Sequence, residues 1–430
     1  MTRRRLVVDE IARVEGEGAL DLEIEAGRVT QARLRIFEPP RLFEALLRGR
    51  DHREAPDIAA RICGICPVAY QLGAAQAMEQ ALGVRVGPAV RSLRRLLYCG
   101  EWIESHALHI VLLHAPDFLG YPDGMRMARD HPAAVEAGLA LKRFGNDVLR
   151  TLGGREIHPV NVRVGGFHRW PRAAELEPLA ARATAARAQA LQLLRWASHF
   201  DFPAFERDYE FVAMRAPDGY PLNEGRIVSS AGIDIDLAEF DRHFAEHQVA
   251  YSTALHAGIR GRGAYLVGPL ARYALNFDRL PAEVQALARE AGLGPVCRNP
   301  FRSILVRAIE VIYACGEIER LIADLRRRSA PPVSPIALRA AIGQGCTEAP
   351  RGLCHHRYEI DATGTIAGAR IVPPTSQNQA SIEADLRDLA GRHLETSDED
   401  LRALCERAIR NHDPCISCSA HFLTLSVRGR

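Results

Sequence analysis

The sequence predicts a mainly α (α+β) protein, a large multihelical single domain with small peripheral β-hairpins. Two patterns carry this prediction. Apolar residues recur at helical spacing along most of the chain, and short alternating stretches occur near both ends. The chain has 430 residues, of which 47% are hydrophobic, so it can bury a large core. No low-complexity linker divides it, and Pro331-Pro332 is the one candidate hinge.

The predicted β elements are short. Apolar and charged residues alternate from Leu20 to Ile24, which predicts the first strand of a hairpin over 19–37. A second hairpin is predicted over 358–371, because Thr363-Gly364 offers a turn. Isolated strands are predicted at 210–214 and 226–230.

The predicted helices account for most of the chain. Pro67 suits the first turn of a helix that runs to about Leu82, and Pro116 is expected to end a long helix that begins near Ala89. The spacing of apolar residues predicts helices over 41–49, 67–82, 89–114, 133–152, 173–199, 301–326, 379–391 and 398–411.

The charge and cysteine content exclude several classes of protein. The formal net charge is +2, from 55 basic and 53 acidic residues, so no nucleic-acid partner is indicated. No apolar stretch approaches the roughly 20 residues that span a bilayer. Ten cysteines are too few for a disulfide scaffold of this length. We expect a cytoplasmic protein with reduced thiols and no membrane anchor.

Two cysteine pairs stand near opposite ends of the chain. Cys63 and Cys66 are three residues apart, as are Cys415 and Cys418. Four thiolates favour a soft or borderline metal ion. Spacing alone leaves a structural zinc site and an iron-sulfur cluster open. A thioredoxin-like pair lacks its βαβ context, and the long separation of the pairs favours a catalytic core over a local zinc staple.

The residues around the two cysteine pairs indicate which kind of metal site they form. Segment 61–67 reads Arg-Ile-Cys-Gly-Ile-Cys-Pro, and segment 413–421 reads Asp-Pro-Cys-Ile-Ser-Cys-Ser-Ala-His. Together they resemble the two signatures of the large subunit of nickel-iron hydrogenases, over nearly the whole chain. The resemblance implies a hydrogenase large-subunit-like fold and reversible heterolytic cleavage of hydrogen.

The resemblance also implies the roles of the four cysteines. Cys63 and Cys415 would be terminal ligands to nickel. Cys66 and Cys418 would bridge nickel to an iron that carries carbon monoxide and cyanide.

The same resemblance extends to residues around the metals. Glu15, in the Arg-x-Glu-Gly segment 13–16, would be the first proton carrier and would take its proton from Cys415. Arg351 would donate to one cyanide, and Asp117 and Asp413 would form a canopy with it. Read without the resemblance, Glu15 is a solvated turn carboxylate, Arg351 is a surface ion-pair partner, and the two aspartates are turn residues.

A further segment would line the second cyanide. It begins Val372-Pro-Pro, and Pro374 and Thr375 would contact the ligand, with the Thr375 hydroxyl as donor. Gln377 departs from the family pattern, in which many members carry tryptophan at this position. Glu44 and His421 correspond to ligands of a second metal, magnesium or iron; read alone, they are an exposed helix residue and a tail residue.

Residues 422–430 form a short tail after His421. By the resemblance, residues 1–421 are the hydrogenase large-subunit domain, and a nickel-dependent maturation peptidase removes the tail. Nickel-insertion proteins would act on the same precursor. His106, His109 and His114 are expected to pack or form hydrogen bonds rather than bind metal, and the remaining six cysteines are expected to be buried free thiols.

Electrons must leave through a partner, because the sequence offers no further iron-sulfur ligand set and no dinucleotide-binding fingerprint. The resemblance implies an iron-sulfur small subunit. Tyr70, Pro67 and segment 116–121 look most like a cytosolic bidirectional enzyme, the sulfhydrogenase alpha type, which reaches NADP through flavin and iron-sulfur subunits. NAD-linked or deazaflavin-linked enzymes are the alternatives, and a zinc-binding or complex I-like structural subunit is the alternative outside the hydrogenases.

Overall fold

The computed structural model describes residues 3–328 and 336–420. Pro331-Pro332, His421 and the tail 422–430 lie outside these ranges, so the predictions on them stay predictions. No helix in the described ranges is long and apolar enough to cross a lipid bilayer.

Within the described ranges the chain is mainly helical, with small antiparallel sheets, and this confirms the predicted fold class. The helices are α1 Phe43–Leu47, α2 Ala55–Ala59, α3 Pro67–Leu82, α4 Pro88–Leu108, α5 Ala115–Leu119, α6 Gly124–Met127, α7 Pro132–Gly153, α8 Ala173–Ala197, α9 Phe240–His243, α10 Pro269–Asn276, α11 Ala282–Glu290, α12 Ser303–Leu325, α13 Pro374–Arg392, α14 Asp398–Asn411 and α15 Ile416–Ser419.

The strands form five separate sheets. In sheet order they are β1 Arg3–Val8, β2 Gly18–Glu25 and β3 Arg28–Ile36; β4 Val162–Arg163 and β5 Gly166–Phe167; β6 Val212–Arg215, β7 Arg226–Ser229 and β8 Asp234–Ile235; β9 Phe244–Gln248 and β10 Leu255–Ile259; and β11 Ala341–Ala349, β12 Gly352–Ile360 and β13 Ile366–Val372. Both predicted hairpins are present, as β2–β3 and β12–β13. Each gains a third strand that the sequence pattern did not predict, β1 and β11.

Helix α3 leads directly away from the first cysteine pair. Pro67 occupies its first turn, where a missing N–H costs no hydrogen bond. Gly83 ends it in the left-handed conformation, with φ 70°. These two residues confirm the predicted bounds, and nearly every side chain of α3 is buried.

Four long helices build the main core beside α3. Helix α4 packs against α7 and α12, and α8 packs against both α7 and α12. The crossing of α4 and α7 is very close, since a Cβ added at Gly145 would lie 2.5 Å from the carbonyl oxygen of Gly100. Small residues at this crossing let the two backbones meet.

The β11–β13 sheet is buried rather than peripheral, because β11 lies along α3. A Cβ added at Gly343 would overlap the carbonyl oxygen of Ala77, and one added at Gly345 would overlap that of Gly73. The glycines that bring this strand onto the helix also weaken its strand signal in the sequence.

The helix that begins at Pro88 does not end at Pro116 as predicted. It passes through a π-helical turn at His109–His114 and continues as α5. Pro116 lies in the first turn of α5, and Gly120, with φ 74°, ends the run.

Helix α13 starts earlier than predicted, at Pro374. Its first turn contains Thr375 and Gln377, and it packs against β3 and β10. The early start brings Thr375 next to the second cysteine pair.

Candidate metal centre

The two cysteine pairs meet in the core. The four Sγ atoms of Cys63, Cys66, Cys415 and Cys418 all lie within 4.8 Å of one another. Cys415 and Cys418 are 2.7 Å apart, Cys63 and Cys66 are 3.0 Å apart, and Cys63 and Cys415 are 3.5 Å apart. All four are buried free thiols. The sulfurs are close enough to hold one metal centre.

The first pair is positioned by the turn that opens α3. Cys63 has an extended backbone, and Cys66 is the residue that precedes the helix. The backbone N–H groups of Ile65 and Cys66 donate to the Cys63 sulfur at 3.3 and 3.1 Å. Amide donors at a helix N-terminus favour the thiolate form.

The second pair is held by the N-terminal segment and by the start of α13. The N–H of Ile416 donates to the carbonyl oxygen of Glu15 at 2.9 Å, so segment 13–16 lies alongside Cys415. The N–H of Cys415 donates to the Thr375 hydroxyl oxygen at 3.0 Å. The N-terminal segment and α13 together fix the position of this pair.

The charge on the four sulfurs is uneven. Burial opposes ionisation of Cys63, but hydrogen bonds from the other three thiols lower its pKa well below the usual value for cysteine. Burial raises the pKa of Cys415, and hydrogen bonding with its neighbours raises it further. Ionisation of Cys415 in addition to Cys63 would therefore require a cation between the sulfurs. Four buried sulfurs fit nickel or iron and do not fit a hard, oxygen-preferring ion.

Glu15 lies against the second pair. The Cys415 thiol donates to Glu15 Oε2 at 3.1 Å, and the N–H of Ser417 donates to the same oxygen at 3.1 Å. A carboxylate in direct contact with a ligand thiol can accept its proton.

Arg351 lies beside the cluster in a fixed orientation. Its Nε donates to the carbonyl oxygen of Asp413 at 2.7 Å and its Nη2 to Asp413 Oδ1 at 3.1 Å. Its Nη1 donates to the Ser105 hydroxyl at 3.5 Å. Burial disfavours the charge, but Asp413 and the cysteine sulfurs raise the Arg351 pKa well above its ordinary value. The guanidinium is a permanent cation here.

The described ion pairs of Asp117 are with two arginines other than Arg351. It forms ion pairs with Arg410, at 2.7 and 2.8 Å, and with Arg13. Among the described contacts it has none with Arg351, whose described partners are Asp413 and Ser105.

Ser105 was missed by sequence reasoning, since a serine within a helix carries no chemical signal of its own. The available signal was a cluster of polar residues in one part of α4 that is otherwise apolar. All of its members are buried: Glu101, Glu104, Ser105 and His106.

Thr375 and Gln377 have different surroundings. The Thr375 oxygen accepts from Cys415, which leaves its hydroxyl hydrogen free to donate. Gln377 donates to the carbonyl oxygens of Leu353 and Val372 and accepts from Tyr265, so it joins α13 to the β11–β13 sheet. Pro374 begins the helix beside them.

Glu44 and the end of the described chain lie near each other. Glu44, on α1, accepts from the N–H of Ile371 at 2.7 Å. Ala420 accepts from the N–H of Arg41 at 2.7 Å. The chain therefore leaves the described range beside the segment that leads into α1, and His421 itself lies outside that range.

Comparison with known proteins identifies the family. A family model described as nickel-dependent hydrogenase matches residues 41–139. The chain is 35% identical to the sulfhydrogenase 2 subunit alpha of Pyrococcus furiosus, over 97% of this chain and 99% of that protein. It is 28% identical to the NAD-reducing hydrogenase HoxS subunit beta of Cupriavidus necator, over 98% and 95% of the two chains.

Solved structures agree with the sequence relatives. An NAD+-reducing nickel-iron hydrogenase superposes with a TM-score of 0.87 at 29% identity, over 97% of this chain and 99% of that one. The nickel-iron-selenium hydrogenase of Dm. baculatum shares the fold, with a TM-score of 0.79 at 22% identity, over 98% and 100%. The chain belongs to the nickel-dependent hydrogenase family, as the catalytic large subunit of a nickel-iron hydrogenase.

Proposed function

We propose that this chain cleaves hydrogen reversibly into protons and electrons at a nickel-iron centre held by Cys63, Cys66, Cys415 and Cys418. The observation that carries the proposal is the meeting of four buried sulfurs within 4.8 Å, drawn from opposite ends of the chain. When bound, the metals supply the Lewis-acid and redox chemistry of hydrogen cleavage. Family membership favours nickel over structural zinc or a complex I-like role.

The proposed ligand set follows the family resemblance. Cys63 and Cys415 would hold nickel, and Cys66 and Cys418 would hold both nickel and an iron that carries carbon monoxide and cyanide. The fixed guanidinium of Arg351 suits an anionic cyanide, because it keeps its charge and its donors in one plane. The Thr375 hydroxyl lies next to Pro374, and its hydrogen takes no part in the contact with Cys415, so it suits the second cyanide.

Glu15 is the proposed first proton carrier. Its carboxylate accepts the proton of the Cys415 thiol across their 3.1 Å contact. Asp413 acts by holding Arg351 in place. Asp117 acts at one remove, since it ties Arg13, two residues before Glu15, to Arg410 on α14.

Glu44 and His421 are the proposed ligands of the second metal, magnesium or iron. Support comes from the end of the described chain, where Ala420 is hydrogen bonded beside α1. In this proposal residues 1–421 form the mature domain, and a maturation peptidase removes 422–430 after nickel-insertion proteins have acted.

The proposed electron route leads to partner subunits. In the part of the chain that the structure describes, the four cysteines are the one group of three or more metal-binding side chains. An iron-sulfur small subunit must therefore accept the electrons. Following the family resemblance, the further proposed partners are flavin and iron-sulfur subunits that reduce NADP in the cytoplasm. The alternatives are NAD-linked and deazaflavin-linked enzymes, and hydrogen-dependent reduction of each acceptor by the purified complex separates the three.

Replacing Glu15 with glutamine tests the first proton step. We expect the variant to keep nickel and iron but to lose turnover and isotope exchange by about 100-fold or more, because the amide cannot accept the thiol proton. Hydrogen uptake and exchange between deuterium gas and water measure the loss. Glu17→Gln is the matched control, an exposed carboxylate two residues away. Exchange at the wild-type rate in Glu15→Gln would exclude Glu15 as the carrier.

A further inference from the structure

The first turn of α3 is capped by a side chain from another helix. A helix N-terminus leaves backbone N–H groups without partners, and the side chain of the residue just before the helix usually accepts from them. That residue here is Cys66, and its side chain forms no such hydrogen bond. The N–H groups of Val68 and Ala69 donate instead to Glu101 Oε2 and Oε1, at 2.6 and 3.1 Å. Glu101, on α4, therefore takes the capping role that Cys66 leaves open.

The backbone donors of this turn are divided between two acceptors. The N–H groups of Ile65 and Cys66 donate to the Cys63 sulfur, and Pro67 has no N–H. The next two donors along the chain are those bound by Glu101. The Cys66 sulfur is therefore not needed by the backbone, and it lies 3.0 Å from the Cys63 sulfur within the cluster.

Glu101 is held in place by the helix that carries it. Its side chain is fully buried, and it takes part in none of the ion pairs found in the described ranges. Gly100, the residue before it, lies at the close crossing with α7. Ser105 is four residues further along α4, on the same face of the helix, and contacts Arg351. One face of α4 therefore contacts both the helix that begins at the first cysteine pair and the guanidinium beside the cluster.

A carboxyl group suits this position better than the other acidic side chain nearby. It presents two acceptor oxygens in one plane, one for each N–H group. Glu104, three residues further along α4, is bound to Lys142 at 3.0 Å. Glu101 is thus the side chain of this part of α4 that serves the first turn of α3.

We propose that Glu101 is a positioning residue for the metal centre, which caps α3 from α4 so that the Cys66 sulfur remains available to the metals. The proposal rests on the proposed function of the four cysteines. Without Glu101, two buried N–H groups would lack acceptors, which is costly in a core. The Cys66 sulfur is the side chain in the capping position, so these N–H groups would then compete with the metals for it.

Glu101→Met in the complete metal-loaded complex is the direct test. Methionine keeps an unbranched side chain that suits a helix, but it removes both oxygen acceptors. We expect a chelator to remove nickel about tenfold faster or more, as for loss of a group that orients a metal ligand. The infrared bands of carbon monoxide and cyanide should shift. Glu101→Gln keeps one acceptor oxygen, so its nickel release should fall between those of the wild type and Glu101→Met.

Ser397→Ala is the matched control. Ser397 caps α14 by accepting from the N–H of Asp400 at 3.1 Å, so this substitution also removes a helix cap. It should leave nickel release and the infrared bands unchanged. Amide hydrogen exchange of the loaded complex adds a readout at the cap itself, since Val68 and Ala69 should exchange faster in Glu101→Met and normally in Ser397→Ala.

Nickel release and infrared bands like those of the wild type in both Glu101 variants would overturn the proposal. If Glu101→Met does not fold, the same comparison rests on Glu101→Gln. A wild-type complex without nickel would overturn the proposed function and this proposal together. A wild-type complex that holds nickel, with Glu101 variants that retain it equally well, would leave the proposed function standing and exclude only the role of Glu101.

Discussion

The position of Arg351 depends on a network of buried charged side chains that extends away from the cysteines. Asp413 binds Arg351 on one side and Arg307 on the other, at 3.1 and 3.4 Å. Arg307 also contacts His106, whose other ring nitrogen is 2.9 Å from Glu310. Breaking a buried pair of this kind costs about 3–5 kcal/mol, because one charge is left without a partner.

The charges of this network that lie farthest from the cysteines are also paired. Arg272 binds Glu310 at 2.8 Å and Glu348 at 2.7 Å, and all three side chains are fully buried. Burial lowers the pKa of His106 to about 4, so this histidine is neutral near pH 7. The three arginines are matched by three carboxylates. These ion pairs hold the guanidinium of Arg351 in one orientation beside the metal site.

Arg351→Lys tests this orientation. A lysine keeps the positive charge but cannot hold the Asp413 carbonyl, the Asp413 carboxylate and Ser105 at once, because it lacks the planar fork of donors. We expect nickel to stay bound and hydrogen uptake to fall by about tenfold or more, as for loss of a fixed electrostatic contact. Metal analysis and uptake assays measure the two properties. Unchanged uptake would remove Arg351 from the mechanism.

At the scale of elements, close backbone contacts bring the two cysteine pairs together. Helix α3 carries Cys66 at its start, and β11 lies on α3 through glycines. Helix α4 carries Ser105 and crosses α7 through Gly100 and Gly145. The positions of these site residues therefore depend on contacts that tolerate no added side chain.

Gly145→Ala tests the α4–α7 crossing. The new methyl group would lie 2.5 Å from a carbonyl oxygen of α4, so we expect unfolding to become easier by about 1–3 kcal/mol. Gly316→Ala is the matched control in α12, where nothing lies within 4 Å of the added Cβ. That substitution should stabilise the chain by about 0.5–1 kcal/mol. Chemical denaturation measures both, and equal effects at the two positions would contradict the close crossing.

The same contacts explain how much could be read from the sequence. The bounds of helix α3, from Pro67 to about Leu82, were predicted closely because the residues at its ends act locally. Strand β11 was missed because Gly343 and Gly345 serve a contact with a distant helix, which no local pattern reveals. The four cysteines and the segment of Glu15 were found from their motifs. The partners of Asp117 were not, because Arg13 and Arg410 are far from it in the sequence.

At the scale of the whole molecule, the metal site joins segments that are far apart in the sequence. The first pair lies near residue 65, and the second lies near the end of the described chain. A bound metal centre links both segments and stabilises the folded state over the unfolded one. Binding of the metals should therefore change the local stability of both cysteine segments.

Amide hydrogen–deuterium exchange of the protein with and without its metals tests this link. We expect segments 61–66 and 413–418 to exchange more slowly after loading, because both must open for the centre to be released. Helix α8 should exchange equally in the two states, since it packs on α7 and α12 and contains none of the cysteines of the centre. Equal exchange of the cysteine segments in both states would show that the centre does not join them.

The central claim is that four thiols hold nickel and iron for hydrogen cleavage. Metal analysis combined with infrared spectroscopy of the purified, matured complex tests it most directly. We predict bound nickel and iron without zinc, together with stretching bands of carbon monoxide and cyanide. Zinc without nickel, or the absence of these bands from matured protein, would contradict the claim.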